Sequence, residues 1–231
     1  FPHHENEAAQ TRCAFDQEIA AHWMHNGFVK INGEKMSKSL GNSFFLRDAM
    51  QLHHPEALRY YLLSSHYRAD FNFSEEDLLA SKKRLDKIYR LKKRLLGTGS
   101  ASVDKHFKES ILSALSDDLN MSQSLALIDE MISKANEGLD ANSKDKALKK
   151  STIANLTWIA ELLGFGIQNP YEYFQFGIDE AEKNHIESLI EKRNSAKKEK
   201  DFATSDALRD EILNLGISLM DTPQGTMWEK A

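Results

Sequence analysis

The sequence predicts a mainly α chain, with a short strand-bearing segment near its front and a small α+β unit at its end. Three observations predict it. Leu78, Leu85, Ile88, Leu91 and Leu95 follow at spacings of seven, three, three and four, which gathers them on one helical face. A second block, from about 105 to 163, carries two apolar sets: Leu112, Leu115, Leu119, Leu125, Ile128 and Met131, then Ile153, Leu156, Trp158, Ile159, Leu162 and Leu163. Stretches that read as strands are few and short, at 28–31 and 217–220.

In chain order, residues 1 to about 27 read as a helix that begins near Pro2 and carries Ala8, Ala9, Ala14 and Ile19, followed by a turn at Asn26-Gly27. Phe28-Val29-Lys30-Ile31 alternates as a short strand does. Leu46 to Met50 and Pro55 to Ser65 repeat as helices, the second with proline in its first turn. From Ser74 the acidic run Glu75-Glu76-Asp77 complements the positive end of a helix dipole. Along that helix the leucine face is expected to pack. Lys83, Lys87, Arg90 and Arg94 follow at four, three and four on another face, free to meet phosphates. Gly97 to Ser102 reads as a connector. The block beyond it, interrupted near Gly138 to Lys144, must bury its stripes against itself, which predicts an antiparallel bundle ended by Gly164-Phe165-Gly166 and Asn169-Pro170. Asp179 to Lys200 and Phe202 to Asn214 are helical, the latter with Leu208, Ile212 and Leu215 periodic, and Ile217 to Met220 is strand-like before a Pro-Gln-Gly turn. A unit of about 50 residues sits near the lower limit for independent folding, so it is expected to lean on the bundle or on RNA.

With 231 residues, 41% of them hydrophobic, the chain can bury the core of one to two domains. A single cysteine, Cys13, excludes an intrachain disulfide, and no apolar run approaches bilayer length. The first residues lack the order of a secretory signal, so a cytoplasmic location is expected. A net charge of −5 excludes nucleic-acid binding by overall charge, so any RNA contact must be local, at Lys82 to Arg94 or Lys192 to Lys200.

The run Glu34-Lys35-Met36-Ser37-Lys38-Ser39-Leu40-Gly41-Asn42 sets two lysines among small hydroxyl residues, with Gly33 beside it. That composition suits a mobile cationic clamp for phosphate. When an adenylate forms, charge builds on the departing pyrophosphate, and ammonium groups that close over it favour the transition state above the ground state. Lysine is a compact charge on a long stem and suits the task.

Lys-Met-Ser-Lys-Ser followed by Leu-Gly-Asn resembles the second signature of the class I aminoacyl-tRNA synthetases. Phe1 to Gln10, Trp23-Met24-His25-Asn26-Gly27, Arg59-Tyr60-Tyr61-Leu62, His66-Tyr67-Arg68, Asp117-Asp118-Leu119-Asn120 and Asp221 to Trp228 narrow the resemblance to the cysteinyl-tRNA synthetases. It spans nearly the whole chain and is weakest at 97–110 and 136–180. Met121-Ser122 stands where the family usually has Thr-Pro, and the family's His-x-Gly-His string does not occur, so a C-terminal fragment is expected.

The resemblance implies four parts. Residues 1–27 would be the C-terminal edge of a Rossmann-like catalytic domain, and 28–73 the connecting KMSKS fold. Residues 74–170 would be a DALR-like tRNA-binding helical bundle, and 171–231 a small anticodon-binding module. It implies a cysteine–tRNA ligase that uses cysteine, ATP with magnesium, and cysteine tRNA, partnered by the N-terminal half of the same enzyme. Lys38 and Lys35 would be catalytic and, with Ser37, would hold ATP. His3 and Glu7, four apart on one helical face, would form half of a zinc site completed by two thiolates from the N-terminal half. Lys83, Lys87, Arg90, Arg94 and Trp228 would meet tRNA, Trp228 either by stacking on an anticodon base or instead by anchoring the last strand from within. Two other functions stay open: a non-catalytic tRNA-binding fragment, and the related ligase that joins cysteine to an amino-sugar in thiol-cofactor biosynthesis. Lys192 to Arg209 and Asp221 to Trp228 favour a tRNA substrate.

Overall fold

The computed structural model describes residues 2–31, 33–36, 46–222 and 225–230, with the backbone alone at 34 and 35. The chain is mainly α, as expected. Helix α1 runs Pro2–Phe15 and stops there, short of residue 27, because Asp16 turns to a left-handed φ of 52° and its N–H closes back on Arg12 O. Ala8 alone is buried on α1; Ala14 and Ile19 are exposed or nearly so, and no packed stripe exists to extend the helix. The chain then reaches Gly27, where a Cβ would lie 2.1 Å from Ala69 O, a close approach that only glycine permits.

Strand β1 (Val29–Ile31) pairs antiparallel with β2 (Glu34–Lys35), and parallel with β3 (Phe71–Phe73) in the register Val29↔Phe71 to Ile31↔Phe73. β3 escapes the sequence reading because three residues are too few to display alternation. Helices α2 (Leu46–Leu52) and α3 (Pro55–Leu63) lie within the crossover. Pro55 opens α3, and His54 caps it by accepting from Glu56 N through Nδ1.

Helix α4 (Glu75–Arg94) starts at Ser74, whose hydroxyl accepts from Asp77 N. The expected face is the buried one, with Leu78, Leu85, Ile88, Leu91 and Leu95 all within 3% of full burial. It serves two cores. Leu78 packs with Ala49, Leu58 and Tyr61 under the sheet, whereas the other four enter the larger core of the bundle. Fully burying each such side chain contributes about 1.5–3 kcal/mol, so α4, together with α3, whose Ala57 and Tyr60 enter the same larger core, joins the front of the molecule to the bundle.

The bundle adds α5 (Lys105–Ser116), α6 (Met121–Ala141) and α7 (Lys146–Leu163), each begun by a side-chain cap, Asp104, Asn120 and Asp145 respectively. Three expected core residues face outward: Leu112, Leu119 and Leu162. Ile111 and Ala114 supply the buried stripe of α5 instead, Leu119 falls in the corner after α5, and Leu162 precedes the inward Leu163. Asn169-Pro170 does more than end the bundle. Asn169 caps a further short helix, α8 (Pro170–Phe174), which buries Tyr171 and Tyr173.

Helices α9 (Glu180–Lys198) and α10 (Phe202–Asn214) cover the hairpin of β4 (Ile217–Thr222) and β5 (Gly225–Lys230) around Ile186, Ile190, Ile212, Ile217 and Trp228. This unit leans on the bundle, as its size requires. Lys93 of α4 pairs with Glu229 and sits over the rings of Tyr171 and Phe174, while Gln175 donates to Trp228 O at 3.0 Å. Among the described residues no helix is long and apolar enough to cross a membrane.

Candidate functional site

The strands that frame the cationic run are built by backbone and short polar contacts. Gly33 turns at φ 83° and donates to Asn72 Oδ1 at 2.9 Å, and Met36 N donates to Val29 O at 3.0 Å. Lys35 stands opposite Lys30 in the hairpin register, and Lys30 pairs with Asp70 at 2.7 Å. The Lys35 side chain, Ser37 and Lys38 lie outside the described residues. The structure therefore places the elements on either side of the clamp, β2 before it and α2 after it, not its ammonium groups.

On α1, His3 Nε2 and Glu7 Oε1 are 3.9 Å apart and exposed. An imidazole and a carboxylate on one turn fit two positions of a tetrahedral zinc site and leave two to be filled from elsewhere. No group of three or more metal-binding side chains occurs among the described residues, and Cys13 is exposed. His4 instead meets His25, Nδ1 to Nε2 at 3.0 Å, and the rings of Trp23 and His25 lie nearly parallel. Segments 3–7 and 23–25, separate in sequence, thus form one aromatic and imidazole patch.

Lys83, Lys87, Arg90 and Arg94 are all exposed along α4. Arg94 is committed to α6, donating to Asn136 and Asp140 at 2.6 Å each. Lys87 and Arg90 line the groove between α4 and α6, with Asn136, Glu137 and Asp140 on its other wall. Trp228 is different: it is 5% exposed and part of the C-terminal core, so its ring cannot stack on a base. Burial against Ile186 and Ile217 makes it the anchor of the last strand.

Three polar constellations were not legible. In the C-terminal unit, Asp221 accepts from both terminal nitrogens of the buried Arg193 and from Lys197, which hold its carboxyl well below the ordinary carboxylate range. Arg193 and Asp221 stood in two noted segments, but nothing in sequence paired them. At the junction of α3, α4 and α8, the buried Glu56 carboxylate accepts from Tyr89 Oη, Gly166 N and Ile167 N at 2.5, 2.6 and 3.2 Å. Tyr89 stacks on Tyr173 at 3.7 Å, and Tyr173 donates to Asp86 at 2.7 Å. Burial, then the bond to a carboxylate, pushes both phenols far up, so both hydroxyls remain donors. Lys92 donates to Gly166 O and Gln168 O at 2.7 and 2.8 Å. At the third, His66, Tyr67 and Arg68 close on Asp118 in the α5–α6 corner.

Comparison with known proteins adds an independent line. Residues 1–83 match the family model described as "tRNA synthetases class I (C) catalytic domain", 111–168 match "DALR domain", and 180–228 match "Cysteinyl-tRNA ligase anticodon binding domain". The cysteine–tRNA ligase of Sulfurimonas denitrificans is 65% identical over 230 residues, 100% of this chain and 49% of the relative. That of Sulfurovum sp. strain NBC37-1 is 64% identical over 231 residues, 100% and 50%. That of Helicobacter pylori strain P12 is 60% identical over 230 residues, 100% and 49%. The chain thus spans about half the length of the curated relatives it matches. Among solved structures, a LeuRS from Agrobacterium radiobacter K84, in a ternary complex with tRNA and LeuAMS, shares the fold at a TM-score of 0.56 and 18% identity, over 72% of this chain and 23% of that one.

Proposed function

This chain belongs to the cysteinyl-tRNA synthetase family, and from that premise we propose that it serves ATP-dependent activation of cysteine and its transfer to cysteine tRNA, together with the remaining half of the enzyme. The observation that carries this reading is the 58–65% identity to cysteine–tRNA ligases across essentially the entire chain. The match of 180–228 to an anticodon-binding family favours tRNA over an amino-sugar as the acceptor.

In this reading residues 1–27 close the nucleotide-binding domain, 28–73 carry the clamp, 74–170 dock on tRNA and 171–231 read the anticodon. Lys38, supported by Lys35 and Ser37, closes over the triphosphate of magnesium-bound ATP and stabilises the charge on departing pyrophosphate. His3 and Glu7 would hold zinc together with ligands from the N-terminal half of the enzyme. Zinc, when bound, supplies selectivity for the soft cysteine thiolate over a serine hydroxyl. Lys83, Lys87 and Arg90 offer exposed charge to tRNA phosphates. The enzyme acts in the cytoplasm, where tRNA and ATP meet.

Lys38→Ala in the full-length enzyme is expected to cost about 2 to 4 kcal/mol in the transition state of adenylate formation. Cysteine-dependent ATP–pyrophosphate exchange reads this directly, and an unchanged rate removes the clamp assignment.

A further inference from the structure

Residues 66–68 meet the α5–α6 corner through a cluster that lies largely in solvent. Tyr67 Oη donates to Asp118 Oδ1 at 2.6 Å, and Arg68 grips the same carboxylate through Nε at 2.8 Å and a terminal nitrogen at 3.0 Å. His66 Nε2 lies 3.0 Å from Asp118 O and its ring stacks on Tyr67. Arg68 and Tyr67, by hydrogen bonding first, hold the Asp118 carboxyl below its ordinary range, so it is ionised at neutral pH. The cluster is nevertheless largely exposed: the side chains of Arg68 and Asp118 are 65% and 45% accessible. Exposed ion pairs stabilise folds weakly. The corner that presents Asp118 is also strained, since Asp118 and Leu119 both take left-handed φ, 51° and 55°, at successive non-glycine positions. Strain maintained at an exposed contact points to a role in positioning.

What the contact joins is specific. Tyr67 O accepts from Gly27 N at 2.8 Å, Ala69 seals against Gly27, and Asp70 accepts from Phe28 N and pairs with Lys30. Residues 66–70 are therefore continuous with β1 and β3, which share a sheet with β2, the strand that leads into the clamp. On the other side, Asp118 immediately precedes α6, capped by Asn120, and α6 forms a wall of the groove that Lys87 and Arg90 line.

We propose that Asp118, gripped by Tyr67 and Arg68, is a positioning residue that fixes the clamp-bearing sheet in register with the helical bundle for transfer of the cysteinyl group to tRNA. This rests on the function proposed above. Adenylate formation needs the sheet and the nucleotide-binding half, whereas transfer also needs a tRNA held by the bundle to reach the same site. Loss of register therefore lowers the effective concentration of the acceptor ribose and leaves the adenylate step alone.

The test uses the full-length enzyme. Asp118→Gly removes the carboxylate while tolerating the left-handed backbone, and Arg68→Gln removes the other partner without touching the corner. Both are expected to keep cysteine-dependent ATP–pyrophosphate exchange, tRNA affinity and melting temperature near those of the unaltered enzyme. Single-turnover transfer from preformed adenylate is expected to fall by about ten- to a hundredfold. Asp118→Asn, which keeps an acceptor oxygen for Tyr67, should recover part of the loss. Unchanged transfer in both variants overturns the proposal, and so does a loss of exchange in proportion to transfer. If the unaltered enzyme itself fails to exchange, the proposed function falls first.

Discussion

His54 is a residue whose ionisation the fold opposes within the physiological pH range. It is 3% exposed, its Nδ1 accepts from Glu56 N, and its Nε2 faces Gln168 Oε1 at 3.2 Å, a pattern that requires the neutral ring with the proton on Nε2. Burial, the largest cause, lowers its pKa from the ordinary 6.5, and the bond to Gln168 only partly opposes this. The unfolded chain therefore takes up a proton where the fold refuses it. The resulting stability is complete above about pH 6.5 and is lost as the pH falls through the lower value in the fold. His54→Asn keeps a capping oxygen and has no titrating ring. Melting temperatures between pH 7.5 and 5.5 should fall more steeply for the parent chain than for this variant.

Elements were legible wherever one face is buried over several turns. The spacing of Leu78 to Leu95 located α4 and its inward face, and Ser74 with its acidic turn located the start. Leu85→Ala should destabilise by about 2–5 kcal/mol, because a fully buried methyl pair is replaced by a cavity, and a denaturant midpoint will report it. Where a pattern was short or bent, sequence was silent. β3 offers three residues, α8 hides behind an Asn-Pro that also reads as a stop, and Leu112 and Leu119 satisfied a stripe that Ile111 and Ala114 actually fill. Gly164 shows how a helix end can bear on another element. It ends α7 at φ 74°, and a Cβ there would meet Arg59 Nε at 2.6 Å, displacing the guanidinium that donates to Leu163 O. Gly164→Ala should cost about 1–2 kcal/mol from the left-handed backbone alone, with a further loss from the displaced arginine, both seen in the same midpoint.

At the scale of the molecule, an acidic chain presents a basic ridge along α4. Lys87→Glu with Arg90→Glu should weaken tRNA binding at all sequences alike and flatten the dependence of affinity on salt, since phosphate contacts act through counterion release. Arg94→Glu is a weaker probe of RNA contact, because Arg94 already pairs with Asp140. The candidate site was legible as motifs and not as a constellation. His66 to Arg68 and Asp117 to Asn120 were each noted, yet Arg68 and Asp118 lie 50 positions apart, and only folding brings them together. The same long separations impose an order of events during synthesis. Phe28 meets Asp70 across 42 residues, Glu56 meets Gly166 across 110, and Lys93 meets Glu229 across 136. While the chain grows, local helices can form early, but the Glu56 carboxylate has no backbone donors until residues 166 and 167 have been made. The Glu56 junction must therefore wait for the end of the bundle, and the Lys93 contact for the hairpin; a ribosome stalled within α7 would hold a chain that has the residues of the Phe28–Asp70 closure and lacks those of the other two.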